Sequence, residues 1–231
     1  MSESQARRNN LYSGIHKALR AYMSDTLNRT ARLDANDAEE LSTGLRQIRE
    51  LLAFMRSHMQ HEASFIHTAM NARRAGSAQV TEGDHDHHDW AIDKLNALCG
   101  HVEEHSGARR QDYLDHLHLQ LSVFVGENLV HMNMEETENN AILWAHYTDE
   151  ELDGIHDALV STIPQEEMQL AMRWMIPALN PSELAGMMMG MRAGMPPPVF
   201  EGMLGFARSL LDQRSAQKLD AALAAPQALA A

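Results

Sequence analysis

The sequence predicts an all-α protein: an up-down-up-down four-helix bundle followed by a C-terminal helical extension. Two observations carry this. Apolar residues recur at alternating three- and four-residue spacing from end to end, and no stretch alternates with period two for long enough to make a sheet. Four long periodic segments are also joined by short connections, which forces sequence neighbours to lie antiparallel.

The first helix covers roughly residues 9–33, with Tyr12, His16, Leu19, Met23 and Leu27 on its core stripe. The second opens at Asn36, with Glu39 three residues on in the capping-box position, and runs to about Arg74 along Leu51, Met55, His58, Glu62, Phe65 and Ala69. After a loop at 75–79, the third starts near Thr81 and carries His85, His88, Ile92, Leu95, Cys99 and Val102. Ser106-Gly107 breaks it. The fourth runs from about Arg109 to Tyr147 along Leu117, Leu121, Phe124, Asn128, His131, Glu135, Glu138 and Ile142. These four segments make residues 1–147 one domain.

From Thr148 the helices shorten and Pro, Gly and Met become frequent. Thr148 with Glu151 is a capping box, Pro164 suits a first helical turn, and Asn180-Pro181-Ser182-Glu183 is a helix start. Met195-Pro196-Pro197-Pro198 reads as a rigid connector, and the Ala-rich tail with Pro226 as a frayed end. Residues 148–231 thus form a Met-rich extension. Its methionines fill an irregular core, or line a face that dimerises, binds a protein partner or covers a site in the bundle.

Composition bounds the function. A net charge of −13 without any basic stripe argues against non-specific nucleic-acid or anionic-membrane binding. No run approaches the roughly 20 apolar residues of a spanning helix, and Met1–Asn10 lacks the apolar stretch of a signal peptide. With a single cysteine, Cys99, the expectation is a cytosolic protein whose metal ligands, if any, are nitrogen and oxygen.

Two runs point to such ligands. His58-Met59-Gln60-His61-Glu62 and His131-Met132-Asn133-Met134-Glu135 each place a Glu four residues after a His, about 40° around a helix and one turn along it. Both pairs replace apolar residues on a core stripe. A Glu is almost never fully buried unless paired, so two matched intrusions call for a shared cation. Each long helix also carries a core-stripe His: His16, His58, His85 with His88, and His131. Imidazole with carboxylate suits iron, manganese or zinc, and carboxylates bridging between helices suit two ions.

The order Ile15-His16-Lys17-Ala18-Leu19-Arg20, His58-x3-Glu62, Asp84-His85-x2-His88, His131-x3-Glu135 resembles the haemerythrin-like (HHE cation-binding) family over about residues 9–147. That resemblance implies a non-haem di-iron centre, with Glu62 and Glu135 bridging and His16, His58 and His131 in outer positions. It also implies an open position for O2, NO or peroxide, in sensing, storage or a redox and iron stress response. The alternatives are a di-iron redox enzyme acting on O2 or peroxide, and a regulatory module with an iron-reporting site. The third helix departs from the oxygen carriers, which have a His pair four apart there; His85 and His88 stand three apart on one side of the helix, so His85, His88 or both ligate. Glu135 likewise stands where those carriers place an Asp one residue further on.

Other histidines read differently. His101-x3-His105 falls off the stripe, on a solvated face; His116 and His118 flank Leu117 at the surface; and His67, His146 and His156 have no partner at ligand spacing. His61, aligned with Phe54, His58 and Phe65, is a pocket residue and a candidate proton donor. Ferritin-like oxidases need two Glu-x2-His motifs, and only Glu82-x2-His85 is present.

Overall fold

The computed structural model describes residues 8–225, and all regular structure among them is helical. The Ala-rich tail and most of the polar N-terminal stretch lie outside the described residues. Asn10 accepts from the backbone N–H of Tyr12 and Ser13, so α1 (Ser13–Thr30) begins four residues later than the apolar pattern suggests. Asp37, not Asn36, caps α2 (Ala38–His61), taking the N–H of Glu39 and Glu40. A π-helical segment π1 (Glu62–His67) and α3 (Thr68–Arg73) continue α2 without a break. Next come α4 (Gln79–Glu104) and α5 (Gly107–Met134), turned into one another at Gly107, whose φ of 59° favours a residue without Cβ. A second π segment, π2 (Glu135–Asn139), leads into α6 (Asn140–His146).

Helix α1 packs on α2 and α5, α2 packs on α4, and α4 runs along α5. The apolar stripes meet inside this ring as a core that includes Leu19, Leu51, Met55, Ile92, Leu95, Leu121 and Phe124. A second apolar cluster lies beyond the π segments, where Tyr12, Ile66, Met70, Leu143 and Leu152 are buried together. Both π segments start at a Glu of the repeated motif. A π turn takes one residue more than an α turn, so past each Glu the buried face moves on by one. The expected stripe through Phe65 and Glu138 is therefore corrected: Phe65 is half-buried and Glu138 exposed, while Ile66, His67, Asn139 and Asn140 are buried.

The remaining helices are α7 (Asp149–Val160), α8 (Gln165–Ala178), α9 (Pro181–Gly194), α10 (Pro197–Leu210) and α11 (Gln213–Ala224). Capping boxes at Thr148 with Glu151 and at Asn180 with Glu183 start α7 and α9. Pro164 is the cap of α8 rather than part of its first turn, and Pro197 opens α10 instead of prolonging a connector. Met172, Ile176, Leu184, Met188, Phe200, Leu204 and Leu219 make a separate core, with Met168, Met187, Met191, Met195 and Met203 packed against it. Apolar packing fastens this part to the long helices. Leu152 of α7 enters the Tyr12 cluster, and α8 lies on α1 with Trp174 stacked on Tyr22 at 4.2 Å between ring centres. Among the described residues no helix is long and apolar enough to cross a membrane.

Because Trp174 is only partly buried, Trp174→Ala is expected to cost about 2 kcal/mol, less than the roughly 3–5 of a fully buried aromatic. Urea unfolding checks this. Unchanged stability would mean that the stack does not hold α8 to α1.

Candidate metal centre

Between the two apolar clusters lies a layer of buried polar side chains: His16 from α1, His58 and Glu62 from the α2–π1 junction, His85 from α4, and His131 and Glu135 from the α5–π2 junction. Each is the residue at which a helix passes from one apolar cluster to the other. The fold thereby brings donors from four helices to one level.

Glu62 Oε1 lies 3.4 Å from His16 Nε2 and 3.2 Å from His58 Nε2, while its Oε2 lies 3.5 Å from His85 Nε2. Glu135 divides in the same way. Its Oε2 is 3.5 Å from His16 Nε2, and its Oε1 is 3.3 Å from His131 Nε2 and 3.8 Å from His85 Nε2. One side therefore gathers His16, His58 and an oxygen of each carboxylate; the other gathers His85, His131 and the two remaining oxygens. Glu62, His85, His131 and Glu135 bring one donor atom each within 4.8 Å of one another, as do His16, His58 and Glu62. This buried His/Glu cluster can bind a metal ion.

Its unpaired atoms fit that role. His16 Nε2, His58 Nε2 and all four carboxylate oxygens of Glu62 and Glu135 are buried without a hydrogen-bond partner, despite the short distances between them. Such orphaned groups are rare because each forfeits its hydration. His85 Nε2 and His131 Nε2 are 3.1 Å apart, close to the roughly 3.0 Å between two nitrogens held at about 2.1 Å and a right angle by one ion. Outside the cluster the ligand rings are held by carboxylates: His16 Nδ1 is 3.1 Å from Glu136 Oε1, and His131 Nδ1 is 3.1 Å from Asp84 Oδ2. Such partners fix ring orientation and raise ligand basicity.

Without a cation, protons carry the balance. Burial lowers the His16 pKa, but its contact with Glu136 and the charge of the facing Glu62 and Glu135 carboxylates outweigh it and raise the group to about 9. His85 reaches about 9 in the same way against Glu135 and Glu62, and His131 is raised by Glu135. Burial acts to raise Glu62, yet His58, His16 and His85 hold it well below the usual range; His131 and His85 hold Glu135 low against burial and the charge of Glu62. Glu136, facing His16 and Arg20, falls to about 2.

Several expected and unexpected residues surround this core. His88 is buried but outside both convergent groups, perpendicular to the His131 ring at 5.0 Å and beside Phe124; burial, then His131 and His85, lower it to about 4. His61 is half-buried and turns to Glu167 of α8, which also accepts from Ser57 Oγ. His101, Glu104 and His105 place donors within 4.8 Å of one another at the surface, a grouping the stripe argument passed over by leaving out Glu104. His116, His146 and His156 are exposed and His118 is half-buried.

Four residues that the sequence reading left out of the site border it. His67 stacks on His85, Asp84 and Glu136 hold ligand rings, and Asn139 Nδ2 donates to the Tyr12 hydroxyl at 3.3 Å. The Tyr12 ring lies 5.2 Å from that of His16, and its O–H has no acceptor among the described residues. Burial, then Glu135 and Glu62, keep this phenol protonated far above its ordinary range. A signal for His67 exists, since Glu62-x4-His67 and Glu135-x4-Asn140 repeat a polar residue five after the Glu.

Neither the protein-family models nor the curated proteins contain a match to this chain.

The proton balance generates a testable pH dependence. His16 and His85 have folded pKa values raised from 6.5, so their contribution to stability is complete below pH 6.5 and is lost as pH rises through about 9. Glu62 and Glu135 are lowered from 4.5, so theirs is present above pH 4.5 and lost on acidification. In the presence of a chelator the melting temperature should fall between pH 6 and pH 9.5. With a divalent cation in place of the protons that fall should shrink. An equal fall in both conditions would show that the cation does not occupy this cluster.

Proposed function

We propose that this chain is a haemerythrin-like, cytoplasmic, non-haem di-iron protein that binds O2 or a related small ligand, built on an up-down-up-down four-helix bundle. The observation that carries the reading is the division of the two carboxylates, each sending one oxygen to the His16–His58 side and the other to the His85–His131 side. Two positions of mixed nitrogen and oxygen donors, sharing both carboxylates, suit a pair of iron ions; manganese and zinc share the donor preference. When bound, iron supplies reversible redox chemistry and an affinity for O2, NO and peroxide. Around it the residues have separate tasks. Glu62 and Glu135 would neutralise the ions and be shared between them, His16, His58, His85 and His131 would supply nitrogen donors, and Glu136 and Asp84 keep His16 and His131 in orientation. The apolar clusters on both sides keep bulk water out.

A second reading, a redox enzyme acting on O2 or peroxide, is favoured by Tyr12. Its hydroxyl accepts from Asn139 Nδ2 and has no acceptor among the described residues, so an O–H able to donate stands close to the His16 ring. Sustained turnover of peroxide, abolished in Tyr12→Phe, would select the enzyme; a stable adduct without turnover would select the binding protein.

Protein produced with ample iron is expected to hold up to two iron ions per chain and to gain a near-ultraviolet absorption band in air. Glu62→Gln and Glu135→Gln should each fall toward one ion, whereas replacing His101 and His105 by Ala should change nothing. Breaking a buried charge arrangement costs about 3–5 kcal/mol, so loaded stability should drop by that order in the Gln variants. Metal analysis with paired melting curves decides: wild-type protein without transition metal would overturn the reading.

A further inference from the structure

The atoms that single out the centre, buried and without hydrogen-bond partners, do not stop at the two convergent groups. His67 is only 1% exposed, and both its ring nitrogens are in the same condition. An imidazole always carries a lone pair, a proton or both, so burying it with neither nitrogen satisfied leaves two uncompensated groups. Neither nitrogen has a hydrogen-bond partner among the described residues.

Like His88 it lies outside the two groups whose donors converge within 4.8 Å, but it borders one of them. The His67 ring is stacked on His85 at 4.9 Å between centres with 28° between planes. That separation equals the 4.9 Å between His85 and His131 and is near the 5.3 Å between His16 and His58. Two imidazoles bound side by side to one ion, with nitrogens about 2.1 Å from it, have ring centres about 4.5–5 Å apart. The wide turn of π1 places His67 five residues after Glu62 and still inside; an α-helical turn would swing it away. His88, the other imidazole near this side, lies 5.0 Å from the His131 ring but is set edge-on against Phe124 and has only Nδ1 orphaned, whereas both nitrogens of His67 are.

We propose that His67 is the third nitrogen ligand on the His85–His131 side of the centre, and that His88 is not a ligand. This rests on the two-ion reading above and makes the two positions unequal. His67, His85 and His131 crowd one side, while His16 and His58 leave the other with fewer protein donors.

The test compares His67→Phe with His88→Phe, each loaded anaerobically with ferrous iron. Iron per chain is measured, together with the number of imidazoles per iron from X-ray absorption. The wild-type protein should show five imidazoles shared by two irons. His67→Phe should lose one imidazole and fall toward one iron per chain; His88→Phe should match the wild type. His67→Ala provides a second variant, in which added free imidazole should restore the lost nitrogen and the iron. If His67→Phe keeps the wild-type iron and imidazole numbers, or if His88→Phe alone lowers them, the assignment of His67 is overturned while the two-ion reading stands. Wild-type protein that takes up no iron would instead remove the reading itself. Circular dichroism of the metal-free variants separates ligand loss from misfolding. A variant that stays folded without metal but loses iron supports ligation, because removing two buried orphaned nitrogens does not weaken the metal-free fold.

Discussion

Two ionised carboxylates in the interior dictate the rest of this structure. Glu62 and Glu135 are both almost fully buried, and isolated charges of one sign at that depth are not tolerated without compensation. The compensation comes in shells. Imidazoles from all four long helices surround the carboxylates, and outside them Glu136 and Asp84 face the far nitrogens of His16 and His131, with Arg20 closing on Glu136. Charge alternates outward until it reaches solvent. Apolar packing above and below this layer confines the charges to one level, so helix packing and site electrostatics are the same arrangement seen from two directions.

The C-terminal helices reach that arrangement through polar contacts from α8 and α9. Glu167 of α8 accepts from Ser57, the residue immediately before His58, and faces His61, immediately before Glu62. Lys17, immediately after His16, pairs with Glu183 of α9. The extension therefore touches the backbone neighbours of three candidate ligands without touching the ligands. Its Met-filled core is separate, yet α8 also packs Ala171 and Trp174 against the core of the long helices.

Much of this was legible in the sequence, and the limits have a physical cause. His16, His58, Glu62, His85, His131 and Glu135 stand on 3.6-residue stripes that the chain keeps as far as the two Glu residues. Beyond them the stripes mislead, because a π turn is not visible in apolar spacing; Phe65 and Glu138 were read as interior and His67 and Asn139 were not. Asp84 and Glu136 sit one residue from the stripe, where periodicity assigns solvent, yet a partner ring draws each inward. Glu167 lies more than a hundred residues from Ser57, and no local pattern could join them. The capping boxes at Thr148 and Asn180 were readable because the whole signal lies within four residues.

The π segments also have a geometric consequence for each rod. A helix that packs against the same neighbours at both ends has a fixed number of turns to fill, and each of these rods carries one residue more than regular winding would use. The surplus behaves like a dislocation in a crystal: rotamer changes cannot anneal it, and only a change in chain length can. In both rods it lies at a buried carboxylate, Glu62 or Glu135, where it widens the helix. The two defects sit at the same height across the bundle, so the centre occupies a seam at which the helices change register together. Whatever binds there ties the two registers to each other.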